Sequence, residues 1–310
     1  MNSSDKAAEV PDFAVVSSRN YSGERALFQA RDLFIQDSSF DSGESPLKEC
    51  RHLRLNGVSF RWKYPLWYSR DIEVKNAVFF EMARAGIWYT DDISVADTIY
   101  EAPKGFRRVN RGRISGVEFP NALETLWNCT DMEINKVTAR GDYFAMNLNK
   151  ARISELNLIG NYGFDGARDI EITNSKLLTK DAFWNSENIT IRNSLISGEY
   201  FAWNSRNVTL EDCVIDSLQG LCYIENLTLR NCRLRDTTLA FEYCRNIDAE
   251  ITGPVKSVFN PLSGRIVADS LQELILDPAK IDPDATEILV KDGHKPAAIT
   301  KPREFAAKEP

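Results

Sequence analysis

The stretch FWNSENITIRNS, Phe183–Ser194, returns almost intact as AWNSRNVTLEDC, Ala202–Cys213. In both, tryptophan, asparagine and serine precede a charge, an asparagine and an alternating apolar run, 19 residues apart. Segments of the same kind recur along the chain. Their first apolar positions are Leu33, Leu53, Ile72, Ile93, Gly112, Met132, Ala151, Ile170, Ile189, Val208, Leu227, Ile247 and Ile266. The steps run from 19 to 21 residues. A fixed period of this length is the signature of a solenoid.

Each unit carries strand-like pieces. In ITIRNSLI, Ile189 and Ile191 face one way and Thr190 and Arg192 the other. A turn residue follows at the fifth place: Asp37, Gly57, Asn76, Asp97, Asn174, Asn193, Asp212, Asn231. Units so short cannot bury a face alone, but stacked coils can, each strand pairing in parallel with its equivalent about 4.8 Å away. Parallel crossovers are right-handed by rule. The expected fold is therefore all-β: a single-stranded right-handed parallel β-helix of 12–13 coils, about 60 Å long. A leucine-rich horseshoe would need LxxLxL with a helical return, and the return segments here are too short and too strand-like.

The phrases GERALF (Gly23–Phe28), SPLKE (Ser45–Glu49), YPLWYSRDIEV (Tyr64–Val74), DAFWNSENITI (Asp181–Ile191) and SGRIVA (Ser263–Ala268) resemble an uncharacterised family of pectin-lyase-like right-handed β-helix proteins. The resemblance covers Ser22–Leu276. It implies the fold and carries no activity with it.

The boundaries follow. Residues 1–20 read as a flexible N-terminal arm and 21–276 as the helix. Residues 277–310 read as a capping strand, Thr286–Val290, with a polar tail. An uncapped end would recruit another chain, so a homo-oligomer is left open.

Stacking converts sequence columns into rows. Six places before each strand start lies a core row: Leu27, Leu66, Ile87, Phe106, Leu126, Ala145, Phe164, Phe183, Ala202, Leu221 and Phe241. The next column faces outward: Phe28, Trp67, Trp88, Arg107, Trp127, Met146, Asp165, Trp184, Trp203, Cys222 and Glu242. It holds five of the six tryptophans. One reading is a groove floored by Trp67, Trp88, Trp127, Met146, Trp184 and Trp203 and closed by Glu242, suited to a ring-shaped ligand. The other is packing, with the rings covered by a terminus or tucked inward. Beside the row, Asn128, Asn147, Asn185 and Asn204 read as an amide ladder.

Catalytic candidates are the groups that interrupt or border the row. Arg107, between two tryptophans, suits a cation–π contact and a ligand carboxylate. Asp165 has an apolar flank that favours a general acid. Tyr143, Tyr162 and Tyr200, each three places before the row, can donate to a ligand oxygen. Each has an ordinary surface role as its alternative. The aspartates of YTDD and CTD sit at turns, and Asp165 with Lys180 and Asp181 makes a poor cation site.

Two histidines far apart and six cysteines without CxxC spacing argue against a zinc or non-haem iron site, carboxylate-bound calcium is left open, and no cofactor is expected. Cys213 and Cys232 share an inward column and read as reduced. The motifs at Asn188, Asn207 and Asn226 match the glycosylation pattern, but their 19-residue recurrence points to turn geometry. A net charge of −7 argues against nucleic acid, and no apolar run approaches a membrane span. MNSSDKAAEVPDF shows no leader pattern, so a cytoplasmic protein is expected.

The resulting expectation is an enzyme of isomerase, lyase or cyclase type acting on a small ring-containing or apolar substrate. A carbohydrate-active enzyme and a non-catalytic binding rod are the alternatives.

Overall fold

A computed structural model describes residues 13–302. Every strand pairing in it is parallel, and each joins a segment to its equivalent one coil on. The chain is a right-handed parallel β-helix of about 15 turns, about 19 residues per turn, with no helix among the described residues. The register expected from the repeat holds from Leu33 to Ile247. It fails at the last step, where Ile247 pairs with Gly264 and Ala249 with Ile266. The reason is visible in GRIVADS: Ile266, Val267 and Ala268 are all buried, so no alternation sets the phase.

Both ends extend further than the sequence pattern indicates. Ala14–Ser17 pairs with Leu33–Gln36 as a full strand, so residues 14–20 belong to the rod and not to a loose arm. Val15 is largely exposed, which removes the apolar alternation that would have marked the strand. Residues 1–12 of the expected arm lie outside the described residues. At the other end Thr286–Val290 adds a strand against Gly264–Ala268, and Ala298–Ile299 pairs with Leu274–Ile275. These two additions raise the count from 12–13 coils to about 15.

The core is built from like residues stacked on like. Tyr21, Phe40, Phe60, Phe79 and Tyr100 form one column with ring centroids 4.9, 5.0, 4.7 and 4.3 Å apart. The inward slot at Gly112 exists because the Met132 side chain fills it: a Cβ there would meet Met132 Cε at 2.4 Å. Inward hydroxyls are satisfied by the backbone. Ser186 and Ser205 donate to the carbonyls of Phe164 and Phe183 at 2.9 and 2.6 Å. All six cysteines are buried and unbridged, and the thiols of Cys213 and Cys232 donate to Ile191 and Leu210 carbonyls.

Corners are made by residues in the left-handed region. The fifth-place turn residues Asp37, Asn76, Asn193 and Asn231 have φ of 45, 52, 49 and 51°. A longer amide ladder runs outside the sheet: Asn188, Asn207, Asn226 and Asn246 each donate Nδ2 to the side chain one coil back, at 2.7–3.0 Å. The recurrence of the three sequence motifs therefore has a turn-and-ladder explanation, and their amide nitrogens are engaged.

Phe60 lies at the centre of the ring column and is fully buried. Replacing it with alanine removes two ring contacts and leaves a cavity. Phe60→Ala is expected to cost about 3–5 kcal/mol in chemical denaturation, at the upper end for a core truncation. A loss under about 1 kcal/mol would show that the column does not carry the N-terminal coils.

Candidate functional site

The outward column forms a flank with two different halves. In the first, the rings satisfy one another. Trp67 and Trp88 stack at 5.1 Å with an interplanar angle of 6°. The Arg107 guanidinium lies between Trp88 and Trp127, 4.4 and 4.6 Å from their centroids, and its Nη2 reaches Glu124 at 3.1 Å. The indole N–H groups of Trp67, Trp88 and Trp127 donate to the carbonyls of Ala85, Lys104 and Tyr143, at 2.6, 2.9 and 2.6 Å. Ring faces and polar edges are both occupied, so this half is packed as a structural ladder. The expected groove floor at Trp67, Trp88 and Trp127 is thus a face-to-face stack with the Arg107 guanidinium inserted between the last two rings.

In the second half the pattern loosens. Asp165 Oδ1 accepts from Asn185 Nδ2 at 3.4 Å, which joins it to the amide ladder continued by Asn204. Met146 sits half-buried between Trp127 and Asp165 in the column, and Asn147 donates to Asn128 at 3.2 Å. Tyr143 stacks on Tyr162 at 5.1 Å, Tyr162 meets Trp184 edge-on at 5.9 Å, and Tyr200 meets Trp203 edge-on at 5.4 Å. Cys222 and Glu242, expected to face outward, are buried. Gln219 donates its amide to Glu242 Oε2, and the Cys222 thiol lies 3.6 Å from the same oxygen. The structure thus brings Tyr143, Tyr162, Tyr200, Trp184, Trp203 and Glu242 onto one stretch of flank. Trp67 and Trp88 lie several coils away, and Arg107 lies two coils before Tyr143 with Trp127 between them.

One residue of this stretch, Asp181, enters the sequence reading only as part of a poor cation site with Asp165 and Lys180. Asp181 occupies the column of Tyr143, Tyr162 and Tyr200, is paired in register with Tyr200, and is 3% exposed. Reading the column three places before each tryptophan, with no restriction to tyrosine, would have found it. Its Oδ1 and the Trp184 Nε1 are buried without hydrogen-bond partners. Each such atom costs about 1–3 kcal/mol. Burial raises the Asp181 carboxyl above the ordinary value of 3.8, Lys180 partly opposes this, and Glu199 adds to it. Burial also raises the Tyr200 phenol, reinforced by Glu199. Burial and then Glu242 push the Cys222 thiol up, so it is no nucleophile at neutral pH.

Beside the flank runs a polar groove of about 500 Å³ lined by Asn185, Asn204, Arg206, Tyr223, Tyr243 and Arg245. An aromatic track leads into it: Trp184 to Trp203 at 6.0 Å, Trp203 to Tyr223 at 5.1 Å, Tyr223 to Tyr243 at 5.4 Å. On the main sheet face a second groove, of about 470 Å³, has in its lining Met132, Ala151, Ile170 and the Asp131–Lys150 ion pair at 3.1 Å. Asp92 of YTDD is held by Arg70 and Arg111, which lowers its pKa, Arg111 contributing most. These turn aspartates are therefore structural. Among the described residues no cluster of three His, Cys, Asp or Glu could hold a metal ion.

The Asp181 shift has a definite sign. Its folded-state pKa is raised, so its favourable contribution is present at low pH and is lost as pH rises above 3.8. Asp92, Glu187 and Asp269 are shifted the other way. The difference in unfolding free energy between the protein and Asp181→Asn isolates the one group. That difference is expected to move in favour of the variant as pH goes from 3.5 to 7. A flat difference curve would mean that Asp181 titrates as an ordinary carboxylate.

The sequence profile described as "Protein of unknown function (DUF3737)" matches residues 14–289, and the chain belongs to that family. No protein of curated function matches it. Among solved structures it is similar to the tailspike protein of the E. coli bacteriophage HK620 in complex with a hexasaccharide, at 8% identity and a TM-score of 0.34, covering 89% of this chain and 71% of that one. It is also similar to the A-module of the Azotobacter vinelandii mannuronan C-5 epimerase AlgE4, at 10% identity and a TM-score of 0.32, covering 94% and 91%. A third is PfbA, a surface adhesin of Streptococcus pneumoniae, at 10% identity and a TM-score of 0.26, covering 80% and 69%. At these identities no residue role transfers from any of them.

Proposed function

We propose that the protein binds a ring-shaped, hydroxylated ligand, of the size and character of a saccharide unit, on the flank from Tyr162 to Tyr243. The single observation that carries this reading is the aromatic track Trp184–Trp203–Tyr223–Tyr243 bordering a polar groove. Rings at the edge of a groove offer apolar faces to the C–H side of a sugar ring, while amides and guanidinium groups meet its hydroxyls. Tyr223 is 41% exposed, with Trp203 and Tyr243 packed against its ring from the coils before and after. The polar lining favours a hydroxylated ring over the wholly apolar substrate that the tryptophan column suggests by itself.

In its enzymatic form this reading is a metal-independent isomerase, lyase or cyclase, with Tyr162, Tyr200 and the adjacent carboxylates as hydrogen-bonding and proton-carrying groups. A non-catalytic binding rod uses the same flank without turnover. The distinction rests on whether a bound sugar is altered.

Screening on a glycan array, followed by calorimetric titration of the best binder, tests the reading. Trp203→Ala and Tyr223→Ala are each expected to weaken binding by about 2- to 12-fold, the range for a lost aromatic contact. Trp67→Ala is expected to reduce stability and leave affinity unchanged, since its ring lies in the closed half. Equal loss from all three variants would move the site off the second half of the flank.

A further inference from the structure

Of the three buried polar side-chain atoms that lack a partner among the described residues, Arg107 Nε belongs to a guanidinium already held by Glu124 and two indole faces. The other two, Asp181 Oδ1 and Trp184 Nε1, lie three residues apart on one coil. One is an acceptor and the other a donor.

The backbone explains why Trp184 differs from the earlier tryptophans. Their N–H groups meet carbonyls of the column three places before the next row member, at Ala85, Lys104 and Tyr143. Those residues have φ of 53, 59 and 57°. The left-handed conformation continues in that column to Tyr162, with φ 55°. At Asp181 and Tyr200 the column becomes extended, in the paired strands Asp181–Ala182 and Tyr200–Phe201. The carbonyl at the equivalent position is Tyr200's, in the extended part of the column, and the Trp184 indole makes no bond to it. The same change puts a carboxylate, Asp181, where the neighbouring coils carry phenols.

We propose that Asp181 and Trp184 form a two-point subsite for one hydroxyl group of the ring ligand, which donates to the carboxyl oxygen and accepts from the indole N–H. The proposal rests on the flank being the ligand site and names the ligand chemistry there. A hydroxyl is the small group that both donates and accepts. A ketone accepts only and an ammonium donates only, so each would leave one of the two atoms unmet. Tyr162 and Tyr200 wall the position through their edge-on contacts with Trp184 and Trp203. Beside it, Lys180 and Glu199 form a 3.3 Å ion pair whose side chains are 53% and 36% exposed.

The six indole N–H signals of the ¹⁵N-labelled protein read the subsite directly, with myo-inositol, D-glucose and D-galactose as probes and cyclohexanone as the acceptor-only control. At least one polyol is expected to shift the Trp184 N–H downfield, with Trp67, Trp88 and Trp127 unmoved. Asp181→Ala is expected to weaken that response at least about tenfold. Asp181→Asn serves as the conservative second variant, and unchanged Trp67 and Trp88 signals certify that either variant is folded. If a polyol moves Trp203 and leaves Trp184 in place, the subsite is wrong and the flank reading survives. If no polyol moves either, both fall. A Trp184 signal already in the hydrogen-bonded range without ligand, and indifferent to Asp181→Ala, would also overturn the subsite.

Discussion

Parallel pairing of successive coils forces each corner of the chain to repeat the backbone conformation of the corners above and below it. In this rod those corners lie in the left-handed region, which costs an ordinary residue roughly 1–2 kcal/mol. Asparagine and aspartate supply much of the answer, because their side chains bond along the stack, as Asn207 does with Asn188 and Asn226. Where the corner residue is bulky the offset comes from packing. Phe164 and Phe183, with φ of 62 and 59°, are fully buried and stack at 4.7 Å. Tyr68 and Tyr89, at 57 and 55°, stack at 4.8 Å on the surface. Corner geometry and like-on-like stacking are therefore two sides of one requirement.

That requirement changes how an exposed aromatic row should be judged. A column of tryptophans at one coil's spacing is what stacking itself favours, inside or outside the rod. Trp67, Trp88, Arg107 and Trp127 show this: two rings, a cation in their plane of stacking, a third ring, and every indole N–H bound to backbone. A site is marked where the ladder stops satisfying itself. Beyond Tyr162 the rings tilt or turn edge-on, carboxylates become buried, and a polar groove opens alongside.

The architecture was legible because the period is nearly constant and the strands alternate cleanly, so that Leu33 and Ile247 can be placed in one row from sequence alone. Legibility failed where alternation failed. Val15 is exposed and the strand around it reads as an arm, while Ile266–Ala268 are uniformly buried and allow two phases. The candidate site was half legible. Columns fix which residues are neighbours but not the tilt of a ring, so Trp67 and Trp203 looked alike. Buried Cys222 and Glu242 looked exposed because their column is outward elsewhere. Asp181 enters the sequence reading only as part of a poor cation site with Asp165 and Lys180, and the strand pairing with Tyr200 shows that it is extended and buried.

Asp181 and Trp184 then stand out for what they lack. Elsewhere the rod spends its polar side chains in pairs: hydroxyls on carbonyls, amides on amides, guanidinium groups on carboxylates. A sequence that satisfies its buried groups so consistently gains nothing structural from a carboxylate that burial holds towards its protonated form and an indole N–H without a partner among the described residues. Phenylalanine at 184 would keep the stack, and tyrosine at 181 would continue the column. Two local rules are broken on the same coil, at the point where the backbone of that column changes from left-handed to extended. A departure so confined is better explained by a group that binds there than by the needs of the fold.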